Sequence, residues 1–191
     1  MNKFLKYNTL RFLLFCISLF YSAQAGVSQS VTDSIQKVKW YTIEEAEKLN
    51  RVKPKKIFID VYTDWCVWCK KMDQQTFSHP VIAKLLNDYF YPVKFNAETH
   101  DTVIFNGAKY ICLNKTGKVT HPLAISLLGW RISYPSVVYF TERFEYLGAM
   151  PGYKTPQQLE VILNYIIQEK FRSTSLEEFE KTFKSQIFQP Q

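Results

Sequence analysis

The sequence predicts an α/β domain in which a mixed central sheet is flanked by helices. The segment Ile57–Tyr62 is a nearly continuous β-branched and aromatic run, typical of a strand covered on both faces. Apolar residues then recur at helical spacing from Val81 to Tyr89, and a second strand pattern follows at Tyr91–Asn96. This strand–helix–strand order predicts two parallel strands.

Two further helices are predicted around the first strand. Thr42 and Glu45 have the spacing of a capping box, which predicts a helix from Ile43 to about Asn50. The stretch from Cys66 to about Gln75 also has helical composition. The tripeptide Ser78-His79-Pro80 then marks a break, because proline disfavours helical backbone at the residue before it.

An insertion is predicted between the second strand and Pro135. Asn106-Gly107 is a strong signal for a two-residue hairpin turn, and it lies between the short strand patterns Thr102–Phe105 and Ala108–Ile111. A short helix over Pro122–Leu128 should follow, ending at a glycine.

The part of the sequence after Pro135 predicts two strands and two helices. Ser136–Thr141 and Glu145–Ala149 are strand patterns joined by a tight connection. Thr155-Pro156 opens a helix that we expect to run to about Lys170. A second capping box, Ser175 with Glu178, predicts a last helix through about Ile187.

The N-terminus resembles a secretory signal. Three basic residues precede the apolar run Phe12–Tyr21, and Ala23-Gln24-Ala25 has the small-x-small pattern of a cleavage site. We expect cleavage near Ala25 and a periplasmic or extracellular mature protein; a retained membrane anchor is the alternative. The predicted organisation is a signal peptide at 1–25, a flexible lead-in at 26–39, the main domain at 40–172 and a C-terminal helix at 173–191.

Charge excludes a nucleic-acid role. Residues 1–25 contain three basic and no acidic residues, so the formal charge of +7 falls to +4 after cleavage. The remaining basic residues are scattered, whereas nucleic-acid binding requires a clustered basic face. We therefore expect no nucleic-acid partner.

Three cysteines remain after cleavage: Cys66, Cys69 and Cys112. Cys66 and Cys69 follow a buried strand and open a helix, where backbone N–H groups stabilise a thiolate. We assign Cys66 as the nucleophile, expected to be the more exposed, and Cys69 as the resolving thiol. Cys112 is interpreted as a buried small apolar residue, with a third redox thiol as the alternative.

The cysteine pair has two alternative roles. It could be half of a zinc site, but the chain has no second Cys-x-x-Cys and no spaced histidine pair, so we expect no metal. It could also be a static structural disulfide, which the strand–cysteine–helix context disfavours.

The segment Asp60–Lys70 resembles the active-site pattern of the thioredoxin superfamily: acid, aromatic, then Trp-Cys-x-x-Cys-Lys. Together with Thr76-Phe77-Ser78-x-Pro80, it is most similar to the C-terminal periplasmic domain of the bacterial thiol:disulfide interchange protein. The resemblance covers about residues 40–170 and implies a thioredoxin-like fold, although Glu98–Ile132 is longer than thioredoxin needs.

The resemblance implies roles for further residues. Asp60 corresponds to a buried acid that relays a proton to or from Cys69, and burial on a covered strand should raise its pKa. Lys94 corresponds to a lysine facing this acid. The substrate-binding residues implied are Trp65, Trp68, Tyr134, Pro135 (as a cis-proline) and Gly152.

The function predicted is dithiol–disulfide exchange with protein substrates, in the reducing direction. No organic cofactor is expected, because the cysteine pair carries the electrons, and a membrane thiol reductant should supply them. The dipeptide Val67-Trp68 matches neither the Gly-Pro of thioredoxins nor the Pro-His of strong oxidants, so it leaves the direction open. The alternative is a non-catalytic binding module. Isomerase activity is a third possibility, but it usually requires a dimer and we expect a monomer.

Overall fold

The computed structural model describes residues 37–187, apart from residues 115 and 131. The predicted signal peptide, residues 26–36 of the predicted lead-in and residues 188–191 lie outside the described residues. Within the described part of the chain, no helix has the length and apolar character needed to cross a membrane.

The helices and strands follow in this order: α1 Ile43–Val52, β1 Lys56–Tyr62, α2 Val67–Met72, a π-helical turn Asp73–Phe77, α3 Pro80–Tyr89, β2 Phe90–Asn96, β3 Val103–Phe105, β4 Ala108–Tyr110, α4 Pro122–Leu128, β5 Ser136–Phe140, β6 Tyr146–Pro151, α5 Pro156–Ile167, a 3₁₀ turn Lys170–Arg172 and α6 Leu176–Thr182. The α/β fold and the order of elements agree with the sequence prediction.

The main sheet is mixed, with strand order β2-β1-β5-β6. β1 and β2 are parallel, as the strand–helix–strand order predicts, and β5 runs antiparallel to both β1 and β6. Alternate residues of β1 enter two different apolar cores. Ile57, Ile59 and Val61 pack with α1, the hairpin β3–β4 and α4, whereas Phe58 packs with α2, α3 and α5. The prediction that β1 is covered on both faces is therefore confirmed.

The insertion between β2 and β5 has the predicted hairpin and helix. Asn106 and Gly107 have φ angles of 47° and 78°, as a two-residue turn between twisted strands requires. The hairpin contacts α1 through Glu47, whose carboxylate accepts a hydrogen bond from the backbone N–H of Asn106. His121 caps α4 and its backbone N–H donates to Ala97 O at 2.7 Å, so the helix is joined to the end of β2.

Two predictions about the C-terminal helix are wrong. The last helix ends at Thr182 and does not reach Ile187, because the chain turns back onto α5. There the buried Glu160 accepts hydrogen bonds from Ser185 Oγ and, at 2.8 Å, from the backbone N–H of Gln186. The capping box at Ser175 is also only half formed, since the Glu178 side chain accepts from Thr174.

The predicted flexible lead-in does not extend to residues 37–39. Val38 is buried in the core that contains Phe58. Asn87 of α3 donates to Lys37 O and accepts from the backbone N–H of Lys39, both at 2.9 Å. These long-range hydrogen bonds fix the segment against the domain.

Candidate active site

Cys66 and Cys69 form a disulfide where the chain passes from β1 into α2. Cys66 is the N-cap of α2, and its Sγ accepts a hydrogen bond from the backbone N–H of Cys69 at 3.0 Å. A donor in this position stabilises negative charge on Cys66 Sγ once the disulfide is reduced. The expected difference in exposure is not seen: Cys66 is 4% exposed and Cys69 is 3% exposed.

Four of the predicted binding residues lie together on connecting segments. The Tyr134–Pro135 peptide bond is cis, as the resemblance implies. Pro135 O accepts a hydrogen bond from the backbone N–H of Gly152 at 2.7 Å. The ring of Tyr134 meets Trp65 edge to face, with 6.1 Å between ring centroids. Trp65, Tyr134, Pro135 and Gly152 therefore form one continuous region next to the disulfide.

Trp65 and Trp68 are both exposed, at 53% and 54%, although tryptophan side chains are usually largely buried. Trp65 Nε1 donates to Glu98 Oε2 at 2.9 Å. Trp68 packs against Tyr153 with 5.6 Å between ring centroids. Each indole is therefore held by polar or aromatic neighbours while much of its apolar surface faces solvent.

Asp60 and Lys94 form an ion pair beneath this region, with 2.6 Å between Asp60 Oδ2 and Lys94 Nζ. They are paired neighbours in the β1–β2 register. Lys94 Nζ also contacts Asp73 Oδ1 in the π-helical turn after α2. The side chain of Asp60 lies on the same face of β1 as Phe58, which is the face that α2 covers. Its Oδ1 is buried and has no hydrogen-bond partner among the described residues.

Burial has the largest effect on the pKa of Asp60. Desolvation raises the pKa of Asp60 to about 6, against the opposing attraction of Lys94. Burial alone would lower the pKa of Lys94, but Asp60 and Asp73 outweigh it and the net direction is upward. Lys94 therefore stays charged near neutral pH, while Asp60 can exchange a proton there.

Cys112 lies apart from this pair in the insertion. It is buried, and its Sγ donates to Asn114 O at 3.1 Å and lies 3.8 Å from His100 Nδ1. Its burial fits the interpretation as a small apolar residue. Among the described residues, no group of three or more His, Cys, Asp or Glu side chains is placed to hold a metal ion.

Three residues at the site were missed from the sequence. Asp73 is four residues after Cys69, so the helical period places it on the same face of the helix, and this spacing could have identified it. Glu98 follows β2 closely enough to reach the site, which the strand prediction alone could have suggested. Tyr153 follows Gly152 directly, but nothing in the local sequence indicates its contact with Trp68.

The fold and the bonded cysteine pair define the class of protein: a thioredoxin-like protein with a Cys-x-x-Cys disulfide. Residues 24–185 match the family model Thioredox_DsbH, described as "Protein of unknown function, DUF255". The chain belongs to this family. A solution structure of a thioredoxin from Thermus thermophilus aligns with a TM-score of 0.51 and 18% identity, covering 68% of this chain and 87% of that one. That likeness supports the fold.

Several relatives carry the description "Thiol:disulfide interchange protein DsbD". The protein from Vibrio vulnificus strain CMCP6 is 32% identical over 84 residues, which are 38% of this chain and 14% of the relative. The protein from Escherichia coli strain K12 is 42% identical over 48 residues, 25% of this chain and 8% of the relative. The chain thus matches only a small part of the length of these relatives.

Proposed function

We propose that the protein is exported and reduces disulfides in other exported proteins through Cys66 and Cys69. The observation that carries this proposal is the position of the disulfide: Cys66 caps α2, the preceding Trp65 packs against Tyr134, and α2 covers the sheet face that holds the buried Asp60. Exchange requires a thiolate nucleophile and a surface that admits the partner chain. A buried acid nearby can accept the proton of the resolving thiol.

The reaction transfers two electrons. The Cys66 thiolate attacks one sulfur of the partner disulfide, and the partner's other sulfur leaves as a thiolate that takes up a proton. Cys69 then loses its proton and attacks Cys66 Sγ, which releases the second partner sulfur as a thiolate. The Cys66–Cys69 bond forms, and the partner disulfide becomes two thiols.

Asp60 serves the second step as the acceptor of the Cys69 proton. Its raised pKa, near 6, suits a group that gains and loses a proton close to neutrality. Lys94 supports this role of Asp60, because its positively charged ammonium group lies next to Asp60 Oδ2. The partner chain lies along Tyr134 and Pro135, with Gly152 beside it. Trp65 and Trp68 supply exposed apolar surface to the same partner.

The site must be re-reduced after each turnover. An exported protein has no access to cytosolic thioredoxin, so we assign a membrane thiol reductant as the electron donor. The signal-like N-terminus, with cleavage near Ala25, supports a periplasmic or extracellular location for a monomeric mature protein. The two interchange-protein relatives support the same compartment and partner class.

The test is exchange with a protein disulfide followed by thiol counting. The reduced mature protein should lose two thiols for every partner disulfide opened, and Cys66→Ser should open none. Cys112→Ser is the matched control and should keep full stoichiometry. A Cys66→Ser variant that keeps the protein's cellular role would instead identify a binding module.

A further inference from the structure

Two lysines flank the exposed aromatic surface around the disulfide. Lys71 Nζ lies 4.7 Å from the ring centroid of Trp68 and 5.6 Å from that of Tyr153. Lys118 Nζ lies 5.7 Å from the ring centroid of Trp65. Each ammonium group is thus placed over one of the two tryptophans that border the cysteine pair. We call Lys71 and Lys118 the flanking lysines.

Both flanking lysines are exposed. Among the described residues, neither makes an ion pair within 4.0 Å. An attraction of this kind to an aromatic ring restricts the ammonium group but leaves its positive charge unneutralised. Each flanking lysine can therefore receive a carboxylate without giving up an existing partner.

The charged side chains near Lys71 and Lys118 have other hydrogen-bond partners. Lys154 points back to its own loop and donates to Pro151 O at 2.6 Å and to Gly152 O at 3.1 Å. The nearby acids keep their negative charge, but among the described residues they form no ion pair with either flanking lysine. Glu98 accepts from Trp65 Nε1, and Asp64 accepts from Asn96 Nδ2 at 3.2 Å.

We propose that the partner polypeptide carries acidic residues close to its reactive cysteine, and that Lys71 and Lys118 bind them. The inference rests on the proposed function and adds the chemistry of the partner. A chain bound over both Trp65 and Trp68 passes close to both flanking lysines. Charges of opposite sign steer such a chain to the site and hold its cysteine beside Cys66.

The test uses three cysteine peptides oxidised to symmetrical disulfide dimers. They differ only in the two residues on each side of the cysteine, which are glutamate, glutamine or lysine. Oxidation of the reduced mature protein is followed by tryptophan fluorescence. Each rate is divided by the rate at which dithiothreitol, an uncharged dithiol without a docking surface, reduces the same peptide. This division removes the intrinsic effect of the flanking charges on the peptide disulfide.

We expect the normalised rate for the glutamate peptide to exceed that for the lysine peptide by about tenfold or more at low ionic strength. The glutamine peptide should lie between them. The ratio should approach one in about 1 M NaCl, where the Debye length is only about 3 Å. Lys71→Gln with Lys118→Gln should abolish the ratio. The control pair Lys53→Gln with Lys184→Gln, both exposed and remote in sequence from the site, should preserve it.

The possible results distinguish failure of this inference from failure of the proposed function. Equal normalised rates for all three peptides would overturn the inference while the proposed function stands. A ratio that survives loss of both flanking lysines would also overturn it. Failure of the protein to reduce any of the peptides would overturn the proposed function and this inference with it.

Discussion

Lys94 Nζ lies 2.6 Å from Asp60 Oδ2 and also contacts the carboxylate of Asp73, so one ammonium group serves two acids. The two acids differ in environment. The side chain of Asp60 is 2% exposed and that of Asp73 is 43% exposed. The buried acid therefore responds to both of its neighbours, and substitutions of those neighbours should move its pKa in opposite directions.

The first prediction concerns these neighbours. Lys94→Gln removes the positive charge that opposes desolvation, so the pKa of Asp60 should rise well above about 6. Asp73→Asn removes a negative charge that raises the pKa of Asp60, so the pKa should fall. Carbon-13 NMR titration of the Asp60 carboxyl measures both. Shifts in the same direction in the two variants would contradict this account of the ion pair.

The second prediction concerns stability and pH. The pKa of Asp60 is higher in the folded protein, at about 6, than the ordinary value of 3.8, so the folded state binds more protons between these values. The contribution of Asp60 to stability is thus present below about pH 4 and is lost as pH rises through about 6. At pH 7.5, Asp60→Asn should stabilise the oxidised protein by about 2–3 kcal/mol.

Urea denaturation of both proteins at pH 7.5 and pH 4 measures this difference. The stabilising effect of Asp60→Asn should shrink at the lower pH, because Asp60 is then largely protonated in the folded state. Both proteins are compared with the disulfide intact, so that only the carboxyl group differs. A variant that is less stable than the wild type at pH 7.5 would contradict the claim that burial dominates the pKa of Asp60.

The third prediction assigns the two cysteines. Cys69→Ser should accumulate a mixed disulfide between Cys66 and its partner, because no thiol remains to release it. Turnover should fall by about 100-fold or more, and the adduct should be visible by non-reducing electrophoresis and mass spectrometry. Cys66→Ser should form no comparable adduct. Adducts that form mainly through Cys69 would reverse the assignment, which is a real test since the two residues are equally buried.

The fourth prediction concerns the position of Trp65. Glu98→Ala removes the acceptor of the indole N–H, so Trp65 should lose its fixed position beside Tyr134. The KM for a protein disulfide should rise by about 3- to 10-fold, with a smaller change in kcat. Glu98→Gln keeps a carbonyl acceptor and should restore most of the wild-type KM. If kcat falls while KM is unchanged, Trp65 does not act in binding.

The fifth prediction concerns the C-terminal segment. Glu160→Ala removes the acceptor of the Gln186 backbone N–H and one of the two acceptors of Ser185 Oγ, which should cost about 1–3 kcal/mol of stability. Hydrogen exchange of the Gln186 amide should become much faster. Glu180→Gln, at an exposed position of α6, is the control and should change neither quantity. Unchanged exchange at Gln186 would show that Glu160 does not hold the segment.

Local signals explain which elements the sequence could predict. The hairpin turn at Asn106-Gly107 needs positive φ angles, and the residue types indicate this directly. The helix Pro122–Leu128 begins at a proline and ends before Gly129, so both of its boundaries are local too. The capping box of Thr42 and Glu45 likewise predicts the start of α1 correctly.

Long-range contacts explain what the sequence could not predict. The last helix ends early because Glu160 lies 25 residues before Ser185 and captures the returning chain. Residues 37–39 are held in place by hydrogen bonds with Asn87, which is about 50 residues away in the sequence. At the site, the cysteine pair is recognisable from its motif. The second partner of Lys94 and the aromatic partner of Trp68 depend on the packed fold.

The central claim is that Cys66 and Cys69 form a redox pair that works as a reductant. The most direct test is the reduction potential of the mature protein, equilibrated in glutathione buffers and followed by tryptophan fluorescence and thiol alkylation. We expect a value of about −270 mV, as for thioredoxin. A value near about −120 mV would contradict the reducing direction, and a cysteine pair that never titrates would contradict the oxidoreductase itself.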